Sequence, residues 1–418
     1  MVSPASPDPG PLLRRLGQLG ASGLRARCRR WPAAEIAPLH GYTVVVGARG
    51  RGSGRDLSSP VVAAERALGE AVERHVALER ALPASRIRIA TPAELNGEAL
   101  PLDTIAGYAA ELRRADPVRL AWSSQTEFAW LQAQALAAGT EHWIPLQLVA
   151  RTAASCESWV EPEIAPRVTT GLAAHPDRPT AILHGLLEVV ERDAFIRAWL
   201  TGTALDVLDL AGASDPPLAG FVRALEATGA QLHAGCLPTD APVAAVFAVV
   251  RNPSGPDVAA GAGAHPTLAG AAVRALTEAF AVSRWLAHNL DGGGEPEPDD
   301  PATIGRQGRL RWWARRGRWP LLAPFFSGRR IRVEDVADAP LDSRRELDRL
   351  LAWFAGAGEP VFLVELTDPA LASDLGHHVV RVVVPGFHPM HLDEARPALW
   401  SRRLVRTADL NRLPHPVS

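Results

Sequence analysis

Apolar residues recur every three to four positions in three long stretches, and these set the helical frame of the chain. Ala63, Ala64, Ala67, Leu68, Ala71 and Val72 share the spacing of one helix face. Ser59-Pro60 ahead of them supplies an N-cap residue and a proline for the first helical position. A second helix is predicted from Asp177–Pro179 to a glycine stop at Gly202, and a third from about Pro266 to Asn289. β-Branched or continuously apolar runs predict strands at Thr43–Val46, Pro242–Val250, Pro360–Leu366 and Val379–Val384. The stretch Gly47–Arg55, which mixes glycine with arginine, reads as a loop, and residues 291–301 (DGGGEPEPDDP) read as an acidic surface insert. Strands spread among long helices predict an α/β, mixed α+β protein. Residues 1–40 are expected to be a partly disordered N-terminal segment ahead of a folded unit at 41–418.

Composition narrows the chemistry. All 44 basic residues of the 418 are arginine. A Walker-type phosphate loop, a pyridoxal Schiff base and a kinase strand each need a lysine, so none of these is available. A bound nucleotide must be held by arginine, backbone N–H groups or metal. The formal charge of −2 gives no long-range pull toward nucleic acid or acidic membranes. Arg306–Arg318, with Trp312, Trp313 and Trp319, is read as a solvated arginine face whose tryptophans anchor in the core, in preference to a nucleic-acid surface. Three scattered cysteines, no signal peptide and no long apolar run are expected of a cytoplasmic protein that does not cross a membrane.

One acidic pattern occurs twice. Glu70-Ala71-Val72-Glu73-Arg74 lies in the first helix and Glu188-Val189-Val190-Glu191-Arg192 in the second. Both are E-x-x-E-R, and on a helix the i, i+3 and i+4 positions are neighbours. If the helices faced each other, four carboxylates would meet, and each like-charge pair at 4 Å costs about 1 kcal/mol in water and about 4 at a protein surface. Magnesium, a hard cation served by carboxylate and phosphate oxygens, would relieve that repulsion, and arginine could grip phosphates bidentately. Taken singly, each motif reads first as an exposed helix face with local ion pairs, because E-x-x-E-R is common on helices.

The same residues resemble the YcaO family. Ala67–Arg74 resembles its first nucleotide motif, and Ala181–Ala194 (AILHGLLEVVERDA) its second. Arg274–Ala279 resembles the start of the third, and Val384–Pro389 the late strand-and-turn. The ending Leu413–Ser418 (LPHPVS) is similar to the proline-rich tail of azoline-forming members. The resemblance implies a YcaO-like fold with acidic helices around ATP and magnesium. Glu70, Glu73, Glu188 and Glu191 would ligate metal or orient the nucleotide, and Arg74 and Arg192 would hold phosphates or support those carboxylates. Arg55, Glu278 and Arg284 are further nucleotide contacts. It also implies ATP-dependent cyclodehydration of Cys, Ser or Thr in a ribosomal precursor peptide; thioamide or amidine formation and a non-catalytic scaffold are the alternatives. Pro414, His415 and Pro416 would serve the chemistry from a stiff, extended tail, whereas His377-His378 reads as structural. Arg66, Thr170, Ala281 or Val282, and Ser418 depart from the usual Ser, Asn, Gln and Pro. The segment before the first motif is too short for a module that grips a leader peptide, so a separate leader-binding partner is expected. A homodimer is an assembly open to the chain.

Overall fold

The computed structural model describes residues 26–32, 39–80, 82–149, 161–289, 301, 304–333, 342–367, 369–404 and 410–417. The expected disorder at residues 1–10 and the acidic insert up to residue 300 lie outside them.

Three sheets organise the molecule. The first is an antiparallel ribbon of β1 (Ala26–Arg30), β2 (His40–Val46) and β3 (Gly50–Asp56). Here the glycine–arginine stretch departs from its reading as a loop, for it forms the edge strand β3, in register with β2 from Val46↔Gly50 to His40↔Asp56. Its glycines fall on alternate positions and so share one face. That face lies directly on α1 (Pro60–Glu79): a Cβ on Gly52 would sit 2.3 Å from the Ala67 carbonyl oxygen, and one on Gly54 1.9 Å from that of Ala63. The predicted cap of α1 is present, with the Ser59 side chain accepting from the Val62 N–H.

The second sheet holds β4 (Ile87–Ala90), β5 (Phe128–Ala135), β13 (Phe362–Glu365), β14 (His378–Val383) and β7 (Leu172–His175) in that order, with β6 (Glu141–Pro145) also paired to β5. The third runs β11 (Ala259–His265), β10 (Ala244–Arg251), β9 (Gln231–Leu237), β8 (Asp206–Asp209) and β12 (Arg330–Arg332). Between these two sheets lies α2 (Arg178–Thr201), capped by Asp177 and ended by Gly202 in the left-handed conformation. Residues on every side of α2 are buried, as befits a helix walled in on more than one face. The remaining longer helices are α3 (Pro216–Glu226), α4 (Leu268–Asn289), which covers β10 and β11, α5 (Arg306–Ala314) and α6 (Ser343–Gly356). No helix among the described residues is long and apolar enough to cross a membrane.

One expectation is corrected here. The arginines of 306–318 are not all solvated: Arg309 of α5 is fully buried beside Trp313, which is 1% exposed. The C-terminal segment docks in the core. His415 and Val417 are fully buried, and the indoles of Trp199 and Trp313 donate to the carbonyls of Leu413 and Pro414 at 3.1 and 2.6 Å.

Candidate functional site

Edge strands leave a row of N–H groups unpaired, and here an edge strand from each sheet turns one or more of them toward a glutamate. Ser53 of β3 donates to Glu70 of α1 at 2.6 Å. Gly171, just ahead of β7, donates to Glu188 of α2 at 3.1 Å. On β11, Ala264 donates to Glu191 at 3.0 Å and Ala262 to Glu278 of α4 at 3.1 Å. The three helices therefore present their carboxylates to one another, each fixed by backbone.

Their electrostatics show the convergence. Glu73 is pushed well above the ordinary carboxylate range by burial, then by Glu188 and Glu70. Burial likewise raises Glu188, Glu191 and Glu278, against the opposing pull of Arg192. Arg192 stands among them, with Nε 3.7 Å from Glu188 and 3.5 Å from Glu191. Burial would lower its pKa, but Glu191, Glu188 and Glu278 outweigh that and hold it raised. Arg74 instead pairs with Glu70 at 2.5 Å on a more exposed flank. The structure thus brings together all four glutamates of the duplicated motif and adds Glu278. Burial favours the neutral form of Glu73, Glu188, Glu191 and Glu278, and carboxylates gathered this closely fit a site completed by a divalent metal.

A cavity of about 750 Å³ opens on this cluster, with Glu70, Glu278, Arg55, Arg74 and Arg284 in its wall. Arg29, Arg30 and Arg51 line it too, and Trp31 and Trp285 offer aromatic surface. Its size suits a nucleotide, and its guanidinium groups suit phosphate.

Arg381 lies outside the motif stretches, and Arg274 and His184 lie inside two of them with no periodicity to assign them a role. Arg381 of β14 and Arg274 of α4 are both lowered to about 10 by burial; Glu188 and Glu73 act on the first, and Arg66 and Glu191 on the second. His184 is pushed well below its usual value by burial and then by Arg274. Single arginines on strands or helices have no periodic companion that would mark them. Arg66, which stands in place of the usual Ser, pairs with Asp56 at 3.0 Å.

The tail residues meet a different group. His415 Nε2 lies 3.0 Å from Arg309 Nη1 and 2.7 Å from the His391 carbonyl oxygen, while His391 Nε2 lies 3.2 Å from Glu394. Ligand atoms of His391, Glu394 and His415 fall within 4.8 Å of one another. Arg309, however, places a fixed cation 3.5 Å from Glu394, so a metal there would meet a buried like charge, and the cluster reads as a clasp on the tail. Burial and then Arg309 push His415 well below its usual value, leaving it neutral. Its ring packs edge to face on that of Phe195 of α2, with centroids 5.7 Å apart. Pro414 and Pro416 flank it, and the Pro414 carbonyl is the acceptor for Trp313.

A family model described as YcaO cyclodehydratase, ATP- and Mg2+-binding, matches residues 57–388. An uncharacterized protein of Methanothermobacter thermautotrophicus is 29% identical over 280 residues, 65% of this chain and 68% of that protein. Among solved structures, a heterocyclase in complex with substrate and cofactor is similar at a TM-score of 0.72 and 19% identity, over 93% of this chain. The chain spans 55% of that heterocyclase's length. YcaO from Methanopyrus kandleri, bound with AMPPCP and Mg2+, is similar at a TM-score of 0.64 and 20% identity over 96% of both chains.

Proposed function

This chain belongs to the YcaO family, and we propose that it is an ATP-dependent cyclodehydratase that converts Cys, Ser or Thr of a ribosomal precursor peptide into azoline rings. The observation that carries the reading is the meeting of Glu70, Glu73, Glu188, Glu191 and Glu278 beside an arginine-lined cavity. In this reading the glutamates hold magnesium, directly or through water, and Arg55, Arg74 and Arg284 face the nucleotide. Bound ATP supplies the phosphoryl group that turns an amide oxygen into a leaving group.

The chain's own residues have positioning work. Arg192 spaces Glu188 from Glu191, and the N–H groups of Ser53, Gly171, Ala262 and Ala264 hold the carboxylates in a fixed array. Such preorganisation removes the reorganisation that water would need around a developing charge. Pro414, His415 and Pro416 act from behind α2, where the clasp to Arg309 sets the tail against the motif. The substrate is the precursor peptide, and a separate protein that grips its leader raises the local concentration of the reacting segment.

The test is incubation of a precursor peptide with the protein, ATP and magnesium, with and without a leader-binding protein of the same pathway, read by mass spectrometry. The reading predicts loss of one water per ring, dependent on ATP and faster with the partner. Peptide left intact while ATP is bound would reject the cyclodehydratase assignment, and modification that appears only with a sulfur donor would point to thioamide formation.

A further inference from the structure

The cavity beside the acidic cluster takes two of its walls from different parts of the fold. Trp31, just beyond β1, with Thr43 of β2 and Ser53 of β3, belongs to one. Glu278, Ala281, Val282, Trp285 and Asn289 of α4 belong to the other. The α4 residues stand at i, i+3, i+4, i+7 and i+11, which makes them one stripe along the helix.

Each wall carries an indole. Trp285 is 43% exposed, and among the described residues no other Trp, Phe or Tyr is exposed to that extent. Trp31 is held in place. Its backbone N–H donates to the Gly41 carbonyl at 2.8 Å, and its indole N–H donates to Thr43 Oγ1 at 2.9 Å. Its ring lies against Gly41, where an added Cβ would come within 2.5 Å of two ring carbons. Water can satisfy a polar atom, but an indole face gains from an apolar partner, and a planar one fits it best.

The stripe runs from charge to aromatic surface. Trp285 lies two helical turns beyond Glu278, about 10 Å along the axis. Ala281 and Val282 lie between them and leave the space open. An occupant that suits both ends carries anionic groups able to share a metal with the carboxylates, and a flat apolar group at its far end. A nucleoside triphosphate has that order, whereas a peptide side chain has only the second part.

We propose that Trp285 and Trp31, one from each wall, hold the nucleobase by stacking, and that this contact favours a purine over a pyrimidine. The inference rests on the reading of this cavity as the nucleotide site. Magnesium-bound phosphates lie at the Glu278 end, the ribose passes over Ala281 and Val282, and the base reaches Trp285. A purine covers more of an indole face than a pyrimidine does, and stacking makes no use of the base's hydrogen-bonding edge.

The test is calorimetric titration of the intact protein, in magnesium, with ATP, CTP and inorganic triphosphate. CTP keeps the phosphates and an amino group but has the smaller ring, and triphosphate has no base. Wild-type affinity should fall in that order. Trp285→Leu keeps apolar bulk but loses the π-face, so ATP affinity should drop about 5- to 100-fold, the scale of one stacked base. Triphosphate affinity and melting temperature should not change, and Trp285→Phe should regain most of the loss. Trp31→Phe, which frees the ring from Thr43, should weaken ATP and spare triphosphate in the same way. Unchanged ATP affinity in Trp285→Leu, equal losses for ATP and triphosphate, or wild-type affinities that ignore the base would each overturn the proposal. So would loss of precursor-peptide binding in Trp285→Leu with ATP binding intact, which would assign the ring to the peptide. A wild-type chain that binds neither ATP nor triphosphate would reject the nucleotide reading of the cavity, and this assignment with it.

Discussion

Glu191 shows how the site balances burial against charge. One of its oxygens accepts the Ala264 N–H and the other faces Arg192, so no solvent exposure is needed to keep it in place. Glu191→Gln keeps the shape and removes the charge. Loss of a hydrogen bond to a charged group costs on the order of 1.5–3 kcal/mol, so ATP affinity at saturating magnesium should fall by about 10- to 100-fold in calorimetry, with the melting temperature unchanged or higher. The acidic cluster also makes a pH prediction. Glu73, Glu188, Glu191 and Glu278 bind protons more tightly in the folded chain than the ordinary glutamate value of 4.5. The folded state then holds more protons than the unfolded one, so stability is full below that value and is lost as pH rises through the raised ones. Metal-free protein should lose melting temperature from mildly acidic to neutral pH, and magnesium should flatten that slope. A flat profile without metal would show that the carboxylates are not coupled to folding. The duplicated E-x-x-E-R was legible because two motifs reinforce each other. Arg381 was not, since its role comes from partners up to 233 positions away, as in the Arg381–Leu148 bond.

At the scale of elements, one arrangement recurs three times. A backbone N–H on or beside an edge strand precedes the glutamate it holds by 17 positions for Ser53 and Glu70, 17 for Gly171 and Glu188, and 16 for Ala262 and Glu278. Two of these strands carry alternate glycines against the following helix: Gly52 and Gly54 on β3, and Gly261 and Gly263 on β11, where an added Cβ would lie 2.5 and 2.6 Å from α4 atoms. The helices were legible from apolar periodicity and caps. The strand at Gly50–Asp56 was not, because glycine and arginine carry little β-propensity and its reason for being a strand is close packing on α1. Gly52→Val should displace α1 from β3, with a cost of about 1–3 kcal/mol for overpacking. Since α1 carries Glu70 and Glu73, nucleotide affinity should fall along with stability. Retained affinity in a destabilised variant would separate the packing from the site.

For the whole molecule, the C-terminal segment is where the structure adds most to the sequence. Its prolines indicate an extended chain but say nothing of where it docks. The structure answers with Arg309, two indole donors and a fully buried Val417. Removing residues 414–418 should therefore cost several degrees of melting temperature as well as ring formation, because the Trp313 donor and Arg309 lose buried partners. Unchanged melting would place the tail outside the core. The fold as a whole serves to bring three edge strands and three helices to one point. The most direct test of that account is calorimetric titration of ATP into the intact protein with and without magnesium, repeated on Glu188→Gln/Glu191→Gln. Binding should need magnesium in the wild type and be lost in the double variant while its melting temperature holds. Equal affinity in the two proteins, or wild-type binding indifferent to magnesium, would contradict it.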